Sequence, residues 1–280
     1  MKISNDTAVI LFGYNRPSHL MRVLIALEDY NIKKIHFFLD GPKNSGDTIV
    51  QKQIIFMMRQ NKKIDIIIYK SKKNLGIAKS ITKGLDKISK KYKKMIIIED
   101  DCIPRKEFFQ FFNKMLNKKN IFNEVGAICG YQFPKIHKKN KHTIFPMLLN
   151  YFIPWGWATT SFHWINFRKM KKNKNNFYYV KNFPKIIKKL NKLVKNNTKN
   201  IWSLNFIIYN FLTKKKFVFP NKSLIKNIGF DGTGVNSKIT NSFDTIYFPT
   251  KKINTKNMIE NDKLKKDQEE NLLKYIRYFY

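Results

Sequence analysis

The chain has 280 residues, 43% of them hydrophobic and 15% aromatic, with 55 Lys and Arg against 19 Asp and Glu and a formal net charge of +36. That apolar content excludes a disordered chain and suits one large α/β domain, and two cysteines without partner spacing, Cys102 and Cys129, exclude a disulfide framework or structural zinc site. The charge calls for an anionic partner, whether nucleic acid, a lipid surface or a phosphorylated glycolipid, although the Lys-, Asn- and Ile-rich composition of an AT-rich genome accounts for part of it.

The first hundred residues alternate strand-like and helix-like segments. Residues 7–12 are a β-type apolar run, followed by the turn Gly13-Tyr14-Asn15-Arg16-Pro17. Ser18 is the expected cap of a helix carrying Leu20, Val23, Leu24 and Leu27 at helical spacing. Residues 35–39 form the next strand, closed by Asp40-Gly41-Pro42. A helix over 48–59, a strand over 64–69, a helix over 77–89 and a wholly apolar strand over 95–98 follow. Strands buried on both faces and separated by helices imply a mostly parallel sheet. Ligands of such sheets bind beyond the carboxyl ends of the strands. Tyr14-Asn15-Arg16, Asp40-Gly41 and Glu99-Asp100-Asp101 each follow a strand and should gather there. Later segments read as a helix over 107–116, a strand over 125–129, an aromatic stretch over 151–164, helices over 185–195 and 203–212, a strand over 217–219 and a loop over 227–237. Residues from Lys251 onward form a charged tail. No apolar run reaches the roughly 18 residues of a membrane span, and the polar residues 1–7 lack the apolar stretch of a signal peptide, so a cytoplasmic location is expected.

Glu99-Asp100-Asp101 carries the most chemistry. Adjacent carboxylates repel one another unless a cation lies among them. Mg2+ and Mn2+ take hard oxygen ligands, commonly one or two carboxylates plus diphosphate oxygens; a solvated acidic turn is the competing reading. Asp40 suits either a hydrogen bond to a base or ribose, or stabilisation of its own turn. Asn74-Leu75-Gly76 opens a helix whose N–H groups suit an anion or a plain cap. Arg16 and Lys79 are candidate diphosphate contacts, or surface cations. Trp155 and Trp157, joined by Gly156, make either a platform for a sugar ring or part of the core, and His163 reads as structural or functional. Asp231 is the carboxylate of a glycine-containing loop, 229–234, suited to closing over a donor.

These runs resemble GT-A glycosyltransferases. The chain is similar to bacterial family-2-type sugar transferases related to N-acetylglucosaminyltransferase I in Val9-Ile10-Leu11-Phe12-Gly13-Tyr14-Asn15-Arg16-Pro17, Asp40-Gly41, Asn74-Leu75-Gly76-Ile77-Ala78, Ile97-Ile98-Glu99-Asp100-Asp101, Pro154-Trp155-Gly156-Trp157 and Asn227-Ile228-Gly229-Phe230-Asp231-Gly232-Thr233-Gly234. The ordered set covers about residues 7–240. It implies a GT-A, Rossmann-like α/β domain: a nucleotide-sugar-binding part over 1–130, an acceptor-binding and catalytic part over 131–250, and a tail over 251–280. It also implies Asp101 as the protein ligand of Mn2+ or Mg2+, Glu99 and Asp100 as contacts of the donor's sugar or ribose, and Asp40 facing the nucleobase. Tyr14, Asn15 and Arg16 would line the nucleotide pocket, with Asn74, Lys79, Trp155 and Trp157 as further substrate contacts. Enzymes of this kind invert the anomeric carbon, using a carboxylate base on the acceptor hydroxyl. The implied partners are a nucleotide-sugar donor, UDP-linked by resemblance, a glycan or glycolipid acceptor, and the anionic inner membrane surface.

One departure stands out. Relatives often carry an Asp beside the Trp matching Trp202, whereas Asn200-Ile201-Trp202-Ser203-Leu204-Asn205 has no carboxylate. Asp231 is the expected base in its place, with Asp244 next; a degenerate transferase kept as a partner protein is the alternative. A nucleic-acid-binding role is not expected, because no binding module is present and the acidic triplet repels phosphate without a metal.

Overall fold

The computed structural model describes residues 3–133, 142–172, 188, 202–234, 239–245, 247, 249–260, 270 and 273. Along the chain run β1 (Thr7–Gly13), α1 (Pro17–Asp29), β2 (Lys34–Leu39), α2 (Ser45–Gln60), β3 (Asp65–Lys70), α3 (Ile77–Ile88), β4 (Lys94–Glu99), β5 (Cys102–Pro104), α4 (Phe108–Leu116) and α5 (Ile121–Glu124). They continue with β6 (Val125–Cys129), β7 (Thr143–Ile144), β8 (Pro146–Leu149), β9 (Trp157–Thr160), α6 (Ser161–Lys172), α7 (Trp202–Leu212), β10 (Lys216–Pro220), β11 (Ile225–Asn227) and β12 (Lys252–Ile253). Most of the expected helix over 185–195, residues Asn200 and Ile201, and loop residues 235–237 lie outside the described residues.

Eight strands form one sheet in the order β3-β2-β1-β4-β9-β6-β10-β8. The β1–β4 block is parallel, and β6 and β10 run the same way; β9 and β8 are reversed. The sheet is therefore mostly parallel and flanked by helices, as the alternating pattern implies. Its centre is apolar because Ile10, Leu11 and Met95 to Ile98 are covered on both faces. Each such side chain contributes roughly 1.5–3 kcal/mol of burial. Along one face Phe12, Phe38 and Tyr69 stack across three neighbouring strands, with ring centroids 5.2 and 4.5 Å apart, a cross-strand ladder that reinforces the register.

Right-handed crossovers send α1 and α2 over one face and α3, which returns to β4, over the other. Pro17 takes the first position of α1 and Arg16 is its cap residue. The expectation of Ser18 as cap is thereby corrected: proline's fixed φ suits N1, and Ser18 falls inside the first turn. At α2, the Asn44 side chain accepts from Asp47 N–H at 2.8 Å, a conventional N-cap. Of the expected charged tail, residues 251–260 are docked. β12 pairs with β7, Lys118 donates to the carbonyls of Thr255 and Lys256, and Lys216 pairs with Glu260 at 2.6 Å.

Candidate active site

β1 lies beside β4 with Phe12 opposite Glu99, so the corner after β1 faces the acidic run after β4. Arg16 reaches across it. Its Nη2 donates to Asp100 Oδ1 at 2.5 Å and to Asp101 Oδ2 at 2.8 Å, while Tyr14 N–H donates to Asp100 Oδ2 at 3.3 Å. One guanidinium thus bridges two carboxylates. Burial opposes the charge on Arg16, but Asp100 and Asp101 outweigh it and its pKa is raised. Burial lifts Asp100 to about 6 although Arg16 pulls it down. Half-buried Glu99 is pushed well above the usual carboxylate range by burial, then by Asp101 and Asp100. With Glu99 held towards its neutral form, Asp100 and Asp101 against one arginine still leave an excess of negative charge that a further cation would offset.

The next corner is built by Asp40 and Asp47. Asp40 Oδ1 accepts from Gly41 and Leu75 N–H and Oδ2 from Gly76 N–H, each at 2.9 Å. Asn74 Nδ2 donates to the Gly41 carbonyl at 2.8 Å. A carboxylate offers about four lone-pair sites, so Asp40 is largely committed to locking the 74–76 segment onto the end of β2; of its two readings, these contacts favour the turn-stabilising one. The lock also explains Gly41: a Cβ there would lie 2.3 Å from the Lys73 carbonyl carbon. Asp47 gathers the β1 corner. Tyr14 Oη donates to it, Asn15 Nδ2 donates at 2.8 Å and Lys43 N–H at 2.9 Å. Tyr14, Asn15 and Arg16 are therefore held together at the carboxyl edge of the sheet, half-buried. Lys79 lies exposed in the first turn of α3.

The third piece is the loop after β11, which pairs antiparallel with β5. Ile228 N–H donates to the Asp101 carbonyl at 2.9 Å. Gly229 lies so close that a Cβ would meet Asp101 Oδ2 at 2.3 Å. His19 Nε2 lies 3.2 Å from the Ile228 carbonyl and 3.1 Å from Asp231 Oδ2. Asp231 is 42% exposed in its side chain, and Thr233 donates to its Oδ1 from Oγ1 at 2.7 Å and from N–H at 3.0 Å. The Thr233 hydroxyl bond lowers its pKa, so Asp231 is ionised at neutral pH. His19 belongs to none of the sequence runs that mark the site. Its signal was position, three residues after Arg16 and so on the same helix face.

Other expected contacts do not gather at this edge. Trp157 is fully buried in β9 and stacks on Trp202 with centroids 5.4 Å apart. The platform expectation is corrected for it, because packing between β4 and β6 leaves no ring face for a sugar. Trp155 is buried against Tyr131, Phe230 and Phe243 and belongs to the same core. His163 is buried with Nε2 2.8 Å from Asn210 Oδ1, a structural histidine that burial depresses to about 4.

Among the described residues no three His, Cys, Asp or Glu side chains form a metal cage. Asp100 accepts from Arg16 and Tyr14 N–H, and Asp101 accepts from Arg16 and, at 3.3 Å, from the Cys102 thiol; Asp101, at 16% against 7%, is the more exposed of the two. A partly exposed carboxylate at the strand edge fits Mg2+ or Mn2+, which are commonly held by one or two carboxylates together with substrate phosphates.

No family model matches the chain, and no curated protein matches it. Solved structures do resemble it. A Staphylococcus aureus TarS crystal structure of residues 1–349 is 13% identical over 78% of this chain and 59% of that one, with a TM-score of 0.48. A mannosyltransferase of Pyrobaculum calidifontis in complex with GDP-mannose and Mn2+ is 11% identical over 55% of this chain and 44% of that one, TM-score 0.37. The 4-diphosphocytidyl-2C-methyl-D-erythritol synthase of Anaerococcus prevotii is 11% identical over 77% and 89%, TM-score 0.40. The chain spans about three fifths of the first of these and less than half of the second. Likeness at this level is shared by proteins of different chemistry, so what the chain does is argued from its own side chains.

Proposed function

We propose that the chain is an inverting, metal-dependent GT-A-type glycosyltransferase that moves a sugar from a nucleotide-sugar donor, UDP-linked by resemblance, onto a bacterial surface glycan or lipid-linked acceptor. The observation that carries the reading is the acidic pair Asp100-Asp101 at the carboxyl edge of β4, bridged by Arg16 from the neighbouring strand's corner. An acid-rich strand end with an excess of negative charge suits a site completed by a cation and a diphosphate.

Tyr14 and Asn15, anchored on Asp47, would hold the nucleoside. Asp101 would hold Mn2+ or Mg2+, with Glu99 and Asp100 beside the donor's ribose or sugar. A divalent cation there offsets the charge that develops on the leaving diphosphate. Arg16, relieved of one carboxylate, is within the same corner to contact that diphosphate. Asp231 is ionised and so in the correct state for a general base. It would take the proton of the acceptor hydroxyl as that oxygen bonds to the anomeric carbon and the sugar–phosphate bond breaks, releasing the nucleoside diphosphate. His19 and Thr233 orient Asp231 at the mouth of the site.

The charge of +36 and the absence, among the described residues, of any helix long and apolar enough to cross a membrane support a peripheral encounter with an anionic bilayer carrying the acceptor. Thermal melting across a panel of nucleotide sugars tests the core of the reading. One donor should stabilise the protein only when Mn2+ or Mg2+ is also present. Equal stabilisation in a metal chelator, or none from any donor with metal, would contradict it.

A further inference from the structure

Two neighbouring helices carry an outward stripe that the reaction does not use. α1 and α2 lie side by side and in parallel. Their starts are level because Asn15 bonds Asp47 and Gln51 Nε2 donates to the Tyr14 carbonyl at 3.2 Å. Their ends are level because Asn61 Nδ2 donates to Glu28 at 2.6 Å and Lys63 Nζ at 2.9 Å. Away from the sheet, α1 presents Met21 at 41% exposure and Ile25 at 50%, and α2 presents Ile49 at 60% and Phe56 at 66%. Ile25 lies one turn before the Glu28 contact and Phe56 about one turn before Asn61, so the two are level on adjacent helices; Met21 and Ile49 extend the stripes towards the site. Four large apolar side chains on adjoining helix faces make a patch, unlike scattered surface apolar residues.

The patch is framed by cations. Arg22 follows Met21, Lys52 and Arg59 flank Phe56 on the same stripe, and Lys62 lies just beyond α2, all exposed. Of the acids in the two helices, Asp47 is buried, Glu28 is paired with Lys63, and Asp29 is exposed one turn beyond Ile25, where the cations outnumber it. Apolar side chains within a basic frame match an anionic lipid surface: the apolar groups enter the acyl boundary while the cations meet headgroup phosphates.

We propose that the outer face of α1 and α2 docks the protein on an anionic bilayer. Arg16 caps α1, and Met21 follows it by about 7.5 Å of helix rise, so a chain lying on this face holds its acidic strand edge beside the lipid surface. That consequence rests on the proposed transferase reading, which needs a membrane-borne acceptor. The docking face itself does not.

Co-sedimentation of the full chain with phosphatidylcholine vesicles, with and without phosphatidylglycerol, tests it. Lys52→Gln/Arg59→Gln should weaken binding to anionic vesicles about 25-fold, at about fivefold per cation removed, and Ile25→Ser/Phe56→Ser should reduce binding at high salt. Lys83→Gln/Lys90→Gln, on the opposite face of the sheet, should change it little. Equal losses in that control would overturn the proposal in favour of diffuse charge. Sedimentation velocity showing that Ile25→Ser/Phe56→Ser splits a dimer would overturn it in favour of contact between copies. Metal-dependent nucleotide binding, measured in the same variants, should be unchanged; its absence from every variant and from the parent would remove the transferase reading while leaving the lipid result to stand or fall alone.

Discussion

Replacing Arg16 with alanine removes the guanidinium that bridges Asp100 and Asp101 and leaves Glu99, Asp100 and Asp101 facing one another. The bridge consists of two charge-assisted bonds of 2.5 and 2.8 Å. Removing one partner of a buried ion pair costs about 3–5 kcal/mol, and the exposure of Arg16 and Asp101, 17% and 16%, puts this change at about 3 kcal/mol. For a domain of this size that corresponds to a melting temperature about 5–10 °C lower without metal. Mn2+ supplies the missing positive charge, so it should raise the variant's melting temperature more than the parent's. Arg16→Lys should lie between, because an ammonium keeps the charge but its different stem and compact, strongly hydrated head fit the place of Nη2 less well. Melting by circular dichroism in chelator and in Mn2+ gives both numbers. A variant that melts with the parent in chelator, or gains no more than the parent from Mn2+, would refute the bridging account.

Asp231→Asn should slow sugar transfer about 10²–10⁴-fold, the usual contribution of a general base, with donor affinity little changed; a loss confined to donor binding would make Asp231 a clamp and turn attention to Asp244. Burial holds His163 at about 4 against an ordinary value of 6.5, so between those values the unfolded chain binds a proton that the folded chain does not. Stability therefore rises with pH from about 4 to 6.5 and is lost towards acid, by about 3 kcal/mol; His163→Gln should flatten that part of a denaturation–pH curve, and an unchanged curve would contradict it. Gly41→Ala drives a methyl into the Lys73 backbone and should cost about 2–3 kcal/mol in urea unfolding, whereas a neutral result would mean that the 73–76 segment yields freely.

The half of the sheet that builds the site was legible because its signals are local. Apolar runs at β1, β2 and β4, each followed by a polar turn, sufficed to bring Tyr14, Asp40 and Asp101 to one edge. What the sequence left open depends on pairings between distant residues. Arg16 and Asp100 are separated by 84 positions, and their contact exists because β1 and β4 are neighbours in a definite register, which no spacing encodes. β9 is four residues long and enters antiparallel between β4 and β6; its insertion is what makes Trp157 core. Asp40 had two readings because a turn acid and a ligand acid look alike until the backbone N–H groups of Leu75 and Gly76 are found on it. The docking of residues 251–260 was hidden by their charge, since Lys216 and Glu260 pair across the fold rather than within a local pattern.

In the proposed transferase, Asp101 holds a divalent cation together with the donor's diphosphate. Isothermal titration of UDP into the protein with Mn2+ present, and of the same nucleotide into Asp101→Ala, tests it most directly. Binding should require Mn2+ in the parent and disappear in the variant, while Mn2+ without nucleotide binds the parent weakly because the protein supplies one carboxylate. A folded Asp101→Ala protein that binds Mn2+ and UDP as tightly as the parent would contradict the account.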